Sequence, residues 1–265
     1  PLCSELQIVM GFTVDCDGWQ EQSVASLFGH NFQIFQSVLS GAGLSIFTSD
    51  TTTITNCHWQ GRQLRILIMS GINSAKLALR KEMKNIIKQL SCEEKQRQSR
   101  RIFEKLRCLP QYEESKRISL YLSTSDEVDT LPILKHIFEA GKEVYVPRYK
   151  GKEMEMVKLI SMEDYEKLPL TKWNIKQPDS KEIRENALET GGLDLILLPG
   201  VAFTINGKRL GHGMGYYDRF LKSCFENQQK RPHLIAIAFN EQIQEDIPTT
   251  ENDVPLDAVL TEKCT

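Results

Sequence analysis

Long apolar runs are missing from this sequence: none approaches the roughly 18 residues that a membrane-spanning helix needs, and candidates such as Ile66–Met69 last only a few positions. Residues 1–30 contain no Lys or Arg, so the basic-then-apolar order of a secretory leader is missing too. Cysteines are present but unpaired in pattern. Cys3, Cys16, Cys57, Cys92, Cys108, Cys224 and Cys264 are odd in number, scattered, and never in Cys-x-x-Cys spacing, which argues against a disulfide framework or zinc site and for free thiols in a reducing compartment. Nor is there an excess of charge of one sign. The 33 Lys+Arg against 35 Asp+Glu give a net charge of −2, so no bulk field draws the chain to nucleic acid or an anionic membrane. The expectation is a cytoplasmic protein without a membrane or nucleic-acid partner, in which any bound phosphate is held by a few placed groups.

The charge that is present is unevenly spread. Residues 1–70 hold only Glu5, Asp15, Asp17, Glu21, Asp50, Arg62 and Arg65, whereas residues 71–265 carry the other 31 basic and 30 acidic side chains. Glycines at 11, 18, 29, 41, 43 and 61 interrupt the first part, and no helical or alternating period persists there. The chain starts at Pro1, and the charge-rich composition starts within a few residues of Met69. Residues 1–70 are therefore expected to be an extension, dispensable through residue 68 or not native to the product, and 71–265 the working domain.

From Asn73 the pattern becomes regular. Ser74 is a suitable N-cap for a helix carrying Leu77, Leu79, Met83, Ile86, Ile87 and Leu90 inward and Lys76, Arg80, Lys81, Lys84 and Lys88 elsewhere. A second helix is expected over Glu93–Leu106, ahead of Pro110. Strands are expected at Arg117–Leu122, Glu143–Pro147, Met154–Leu159, Leu193–Leu198, Leu234–Phe239 and Asp257–Leu260, with helices at Thr130–Ala140, closed by Gly141, and at about Tyr216–Gln228. Strand, crossover helix and strand in succession predict an α/β fold: a mostly parallel sheet flanked by helices on both faces.

The stretch Leu198–Asp218 carries the chemistry. It follows a buried strand at the end where open α/β sheets place ligands. Gly211, Gly213 and Gly215 alternate just before a helix, so backbone N–H groups and the helix N-terminus can approach a phosphate, with Lys208 and Arg209 supplying charge at the entrance. The spacing is neither the Walker pattern nor the dinucleotide fingerprint. By spacing alone Asp218 is either a first-turn acid complementing the helix dipole or a magnesium ligand. Glu251-Asn252-Asp253 is a second acidic cluster, and alone it reads as a solvated turn.

Taken together, Pro199-Gly200, Phe203, Gly207, Arg209-Leu210-Gly211, Gly213 and Gly215-Tyr216-Tyr217-Asp218 resemble the signature of the 5-formyltetrahydrofolate cyclo-ligase family, also called 5,10-methenyltetrahydrofolate synthetase. The resemblance covers about residues 73–262. It includes Lys76 and Arg80, Leu122, Asp126-Glu127, Pro147-Arg148-Tyr149, Trp173-Asn174-Ile175, Pro178 and Asp253. His212 and Met214 depart from the Arg and Lys of vertebrate members. The resemblance implies a sugar-phosphate isomerase/CoA transferase-like fold. It also implies an ATP- and Mg2+-dependent conversion of 5-formyltetrahydrofolate to 5,10-methenyltetrahydrofolate, with ADP and phosphate released, by a monomer.

The same resemblance implies the roles. Lys76, Leu77, Ala78, Leu79, Arg80 and the run Arg209, Leu210, Gly211, His212, Gly213, Met214, Gly215, Tyr216, Tyr217 bind ATP. Arg80, Leu122, Glu127, Arg148, His212, Gly213, Met214, Gly215 and Tyr216 bind the folate. Arg209, Tyr216 and Asp218 are catalytic, and Asp218 with Asp253 holds magnesium. Without the resemblance, Lys76 and Arg80 read as a solvated helix face, Leu122 as sheet core, and Tyr216 and Trp173 as packing aromatics. The competing reading is a catalytically weakened member that binds folate or RNA as a regulatory protein. A sugar-phosphate isomerase or CoA transferase of related topology would need an acyl-accepting Glu or an acid–base pair, and no such group is identifiable.

Overall fold

The computed structural model describes residues 57–151, 153–171 and 175–263, in two compact units, Pro1–Leu77 and Ala78–Thr265. Helix α1 (Cys57–Gln89) begins in the first unit and continues into the second. It runs straight through Ser74, so that residue is helical and does not cap a start. Helix α2 (Cys92–Leu106) begins where Ser91 accepts from the Glu94 N–H at 3.1 Å, an N-cap with Glu93 and Glu94 in the favourable first turn. Then come α3 (Pro110–Glu114), β1 (Arg117–Ser119), α4 (Leu131–Glu139), β2 (Glu143–Lys150), β3 (Glu153–Leu159), α5 (Met162–Lys167), β4 (Leu195–Leu198), β5 (Ala202–Phe203), β6 (Arg209–Leu210), α6 (Tyr216–Asn227), β7 (His233–Ile237) and β8 (Ala258–Leu260).

Six strands form one sheet in the order β3-β2-β1-β4-β7-β8, all pairs parallel except the β2–β3 hairpin. The expected mostly parallel sheet is thus present. The expected strand at Met154–Leu159 is its one antiparallel member, because the chain turns back after Lys150 at Gly151, which has φ +64°. Two-residue periodicity divides the strands between two cores. Ile118, Val144, Val146, Leu195, Leu197, Ile235 and Ile237 pack with Ile102 and Leu106 of α2 and Ile133, Leu134 and Ile137 of α4. On the other side, Tyr145, Ile196, Leu198, Leu234 and Ala236 pack with Tyr217, Phe220, Leu221 and Cys224 of α6. Each such fully buried aliphatic side chain contributes about 1.5–3 kcal/mol.

From β1 the chain winds outward through β2 to β3; from β4 it winds the opposite way through β7 to β8. The strand order therefore reverses between β1 and β4, and the carboxyl ends of these two neighbours open a crevice at that switch point.

Candidate active site

Two segments leave the sheet at the crevice: residues 120–130 after β1 and 199–215 after β4. The second is folded by its own pairing. The Val201 N–H donates to the Leu210 carbonyl at 2.7 Å, and β5 and β6 pair antiparallel in the register Ala202↔Leu210 and Phe203↔Arg209. The turn between them needs glycine at 207. Its φ is +84°, and a Cβ there would overlap the carbonyl oxygen of Leu256, whose N–H donates to the Gly207 carbonyl at 2.9 Å. That close approach stitches the Asp253–Leu256 segment to the loop. Gly213 (φ +103°) and Gly215 (φ +64°) then turn the chain into α6, with Gly215 as the N-cap.

Arg209 is 6 % exposed, and a buried guanidinium needs a partner. Its Nη2 donates to Asp218 Oδ1 at 3.0 Å and its Nη1 to the Pro199 carbonyl at 3.3 Å, while the Val254 N–H reaches the same Asp218 oxygen at 3.3 Å. Arg209 therefore cross-links loop, helix and the 250–256 segment. Arg209 and Lys208, expected to supply charge at the loop entrance, are both paired: Arg209 with Asp218, and Lys208 Nζ 2.5 Å from Asp246.

The cation that faces the glycines is Arg80. Its Nε donates to the Gly211 carbonyl at 2.8 Å, and its guanidinium carbon is 3.4 Å from where a Cβ on Gly213 would stand. Burial pushes its pKa below the ordinary value, and the Asp253 carboxylate acts in the opposite direction. Arg80 reaches the loop because Leu79, Met83 and Ile86 of α1 pack on Ala202, Leu210 and Ile247.

Aromatic groups adjoin the loop. Tyr216 Oη donates to the Gly151 carbonyl at 2.9 Å, and its ring lies 4.8 Å from that of Tyr149 at 58°. Burial, with the nearby Glu127 carboxylate, pushes the Tyr149 phenol up to about 12 and Tyr217 well above its ordinary range, so both stay protonated. Glu127 Oε2 accepts from the Thr124 N–H at 2.9 Å and from Thr124 Oγ1 at 3.0 Å. Tyr149 was part of the family resemblance, yet no role had been assigned to it. Strand alternation was the available signal, since it shares a strand face with Tyr145 and not with Arg148.

The structure thus brings Arg80, Arg209, Gly211, Gly213, Gly215, Tyr216, Tyr217, Asp218 and Glu127 to one crevice, with Leu210 buried beneath and His212 and Met214 exposed on the loop. Lys76 and Leu77 end the first unit on α1, one turn before Arg80; Ala78 and Leu79 follow them in the second. Leu122 is 8 % exposed and belongs mainly to the α2/α4 core. Arg148 does not join the crevice. It alternates with Val144 and Val146 onto the opposite face, where Nε donates to Glu155 at 2.9 Å and Nη1 to the carbonyls of Glu182 (2.6 Å) and Asp179 (3.1 Å). Arg148, expected from the resemblance to bind the folate, is instead taken up by Glu155 and these two carbonyls. Trp173 and Asn174 lie outside the described residues.

Asp218 and Asp253 supply hard oxygen donors, and the N–H of the residue after Asp253 touches Asp218. Asp253 Oδ2 is turned toward Thr250, accepting from its N–H at 2.6 Å and its Oγ1 at 2.9 Å. Among the described residues no group of three or more His, Cys, Asp or Glu could hold a metal. The donor set fits an ion that takes most of its ligands from phosphate and water, as magnesium does.

Comparison with known proteins gives a consistent result. The model of the 5-formyltetrahydrofolate cyclo-ligase family matches residues 72–262. The chain is 49% identical over 193 residues to 5-formyltetrahydrofolate cyclo-ligase of Mus musculus, covering 72% of this chain and 95% of the relative. It is 44% identical over 197 residues to a probable 5-formyltetrahydrofolate cyclo-ligase of Caenorhabditis elegans, covering 73% and 96%. The NMR structure of Aquifex aeolicus 5,10-methenyltetrahydrofolate synthetase superposes with a TM-score of 0.59 at 32% identity, covering 71% of this chain and 90% of that one. A family match over residues 72–262, with relatives aligned over nearly their whole length, makes this chain a member of the 5-formyltetrahydrofolate cyclo-ligase family.

Proposed function

We propose that the chain closes the ring of 5-formyltetrahydrofolate to give 5,10-methenyltetrahydrofolate, using ATP and Mg2+ and releasing ADP and phosphate. The observation that supports this most is that a glycine loop with Arg80 on one of its carbonyls runs directly into an aromatic pair, Tyr216 and Tyr149, with a carboxylate, Glu127, nearby. The loop suits a triphosphate; the aromatic pair suits a flat heterocycle with hydrogen-bond donors.

The chemistry needs both. A formamide oxygen is a poor leaving group, so the γ-phosphoryl group is transferred from ATP to that oxygen, breaking the bond to ADP and making an iminium phosphate. The neighbouring substrate nitrogen attacks the formyl carbon, the C–O bond breaks to release phosphate, and the attacking nitrogen loses its proton. Such transfers are catalysed chiefly by positioning and charge neutralisation. Arg80 and the N–H groups of Gly211–Gly215 receive the phosphates. Asp218 and Asp253 would hold magnesium, which neutralises phosphate charge when bound. Arg209, paired to Asp218, keeps that carboxylate fixed. Glu127 accepts from pterin donors, while Tyr216 and Tyr149 form the wall against which the reacting end lies.

In this reading the protein is a cytoplasmic monomer acting on freely diffusing substrates. The N-terminal stretch is dispensable in this reading, so a chain beginning at Met69 retains full turnover and solubility; an inactive or insoluble product contradicts that. The activity itself is tested by mixing the chain with 5-formyltetrahydrofolate, ATP and Mg2+ and following the near-ultraviolet absorbance of the methenyl product. ATP-dependent appearance of that band with equimolar ADP is expected. Folate binding without product would support the regulatory-binder alternative.

A further inference from the structure

The crevice is short of uncommitted positive charge. Arg209 is paired to Asp218, Lys208 to Asp246, and Arg80 is faced by Asp253. Loop positions 212 and 214 are His and Met, neither a permanent cation. One further arginine reaches the loop, from an unexpected place. Arg219 is exposed in the first turn of α6, where the helix dipole disfavours a cation. Its side chain folds back over the loop: Nη1 donates to the Met214 carbonyl at 3.0 Å and stands 3.1 Å from where a Cβ on Gly215 would be. Its guanidinium carbon is 5.3 Å from the centroid of the Tyr216 ring, which itself contacts Tyr149 at 4.8 Å.

We propose that Arg219 is a positioning residue for nucleotide binding, latching the Met214–Tyr216 backbone to the first turn of α6. The inference rests on the triphosphate lying along the glycine loop, as proposed above. Gly213 and Gly215 give the loop left-handed conformations and have no side chains with which to anchor it. A single guanidinium fixes one loop carbonyl and covers the first aromatic ring of the helix. The loop amides are thereby already aimed when ATP arrives, and the ordering that nucleotide binding would otherwise have to supply is reduced. The forked, planar head is required for both contacts, which an ammonium group cannot make together.

The test compares the full chain with Arg219→Ala and Arg219→Lys. Arg219→Ala should raise KM for ATP about tenfold, equivalent to about 1.4 kcal/mol. The changes in kcat and in KM for 5-formyltetrahydrofolate should be much smaller, and Tm should stay within about 2 °C. Arg219→Lys should recover only part of the loss. An unchanged KM for ATP in Arg219→Ala, or full recovery with Lys, overturns the latch; so does an equal rise in both KM values with a fall in Tm, which marks a merely structural role. Titration calorimetry with MgATP alone separates this inference from the proposed reaction. A wild-type chain that binds MgATP yet forms no methenyl product would refute the reaction, while weaker MgATP binding by Arg219→Ala would still support the latch.

Discussion

The two faces of the central sheet are built from the same strands yet differ in kind. Toward α2 and α4 the strands present Ile118, Val144, Val146, Leu195, Leu197, Ile235 and Ile237, an aliphatic layer. Toward α6 they present a layer that includes Tyr145, Ala236 and Ala238, and above it Tyr217 beside the buried Arg209–Asp218 pair. Smaller side chains there leave room for the helix, and its first turn carries the polar groups of the crevice. The first face is chiefly aliphatic packing, whereas the second also fixes where charged and aromatic groups stand.

That contrast can be broken from either side. The largest effect on folding is expected from Ile137→Ala on α4. The side chain is fully buried, and its truncation should cost about 2–5 kcal/mol in urea unfolding while the folded fraction keeps normal KM values. On the other face, Asp218→Asn should lower kcat/KM about a hundredfold or more, in the range seen when a charge-stabilising group is removed from a site. Asp218→Ala is the less clean change, because it leaves a guanidinium that is 6 % exposed without its carboxylate. Circular dichroism melts beside the kinetics distinguish the two: a large Tm loss in Asp218→Asn would place that residue with the stabilising face.

Gly207→Ala joins both faces' concerns. The left-handed φ and the overlap with Leu256 should cost about 1–3 kcal/mol and shift the Asp253 segment, seen as a lower Tm and a raised Mg2+ requirement. The smallest effect is expected from Tyr216→Phe, which loses only the hydrogen bond to Gly151, worth about 1 kcal/mol, and should raise KM for the folate a few-fold with ATP affinity kept. A change in ATP affinity instead would move Tyr216 to the nucleotide side.

Much of this organisation was legible in the sequence because local rules govern it. The hydrophobic runs of β4 and β7, the Gly141 stop after α4 and the glycine alternation before α6 all name their own structure, and several ordered motifs together identified the family. What stayed hidden depends on partners distant in sequence. Nothing near Arg209 announces that Asp218 and Val254 converge on it, and nothing in the 70–76 region shows that α1 begins before Ser74, at Cys57. The hairpin direction of β3 is set by the tight turn at Gly151, which propensity alone does not give. Arg148 was misplaced for a different reason: the family motif drew attention to its charge, while its even spacing with Val144 and Val146 already put it on the far face.

The most direct test of the central claim follows the formyl oxygen. 5-Formyltetrahydrofolate labelled with 18O in the formyl group, turned over with unlabelled ATP and Mg2+, should yield inorganic phosphate carrying one 18O atom per methenyl group formed. Methenyl product accompanied by unlabelled phosphate would show that the oxygen leaves by another route, and would contradict phosphoryl transfer at this crevice.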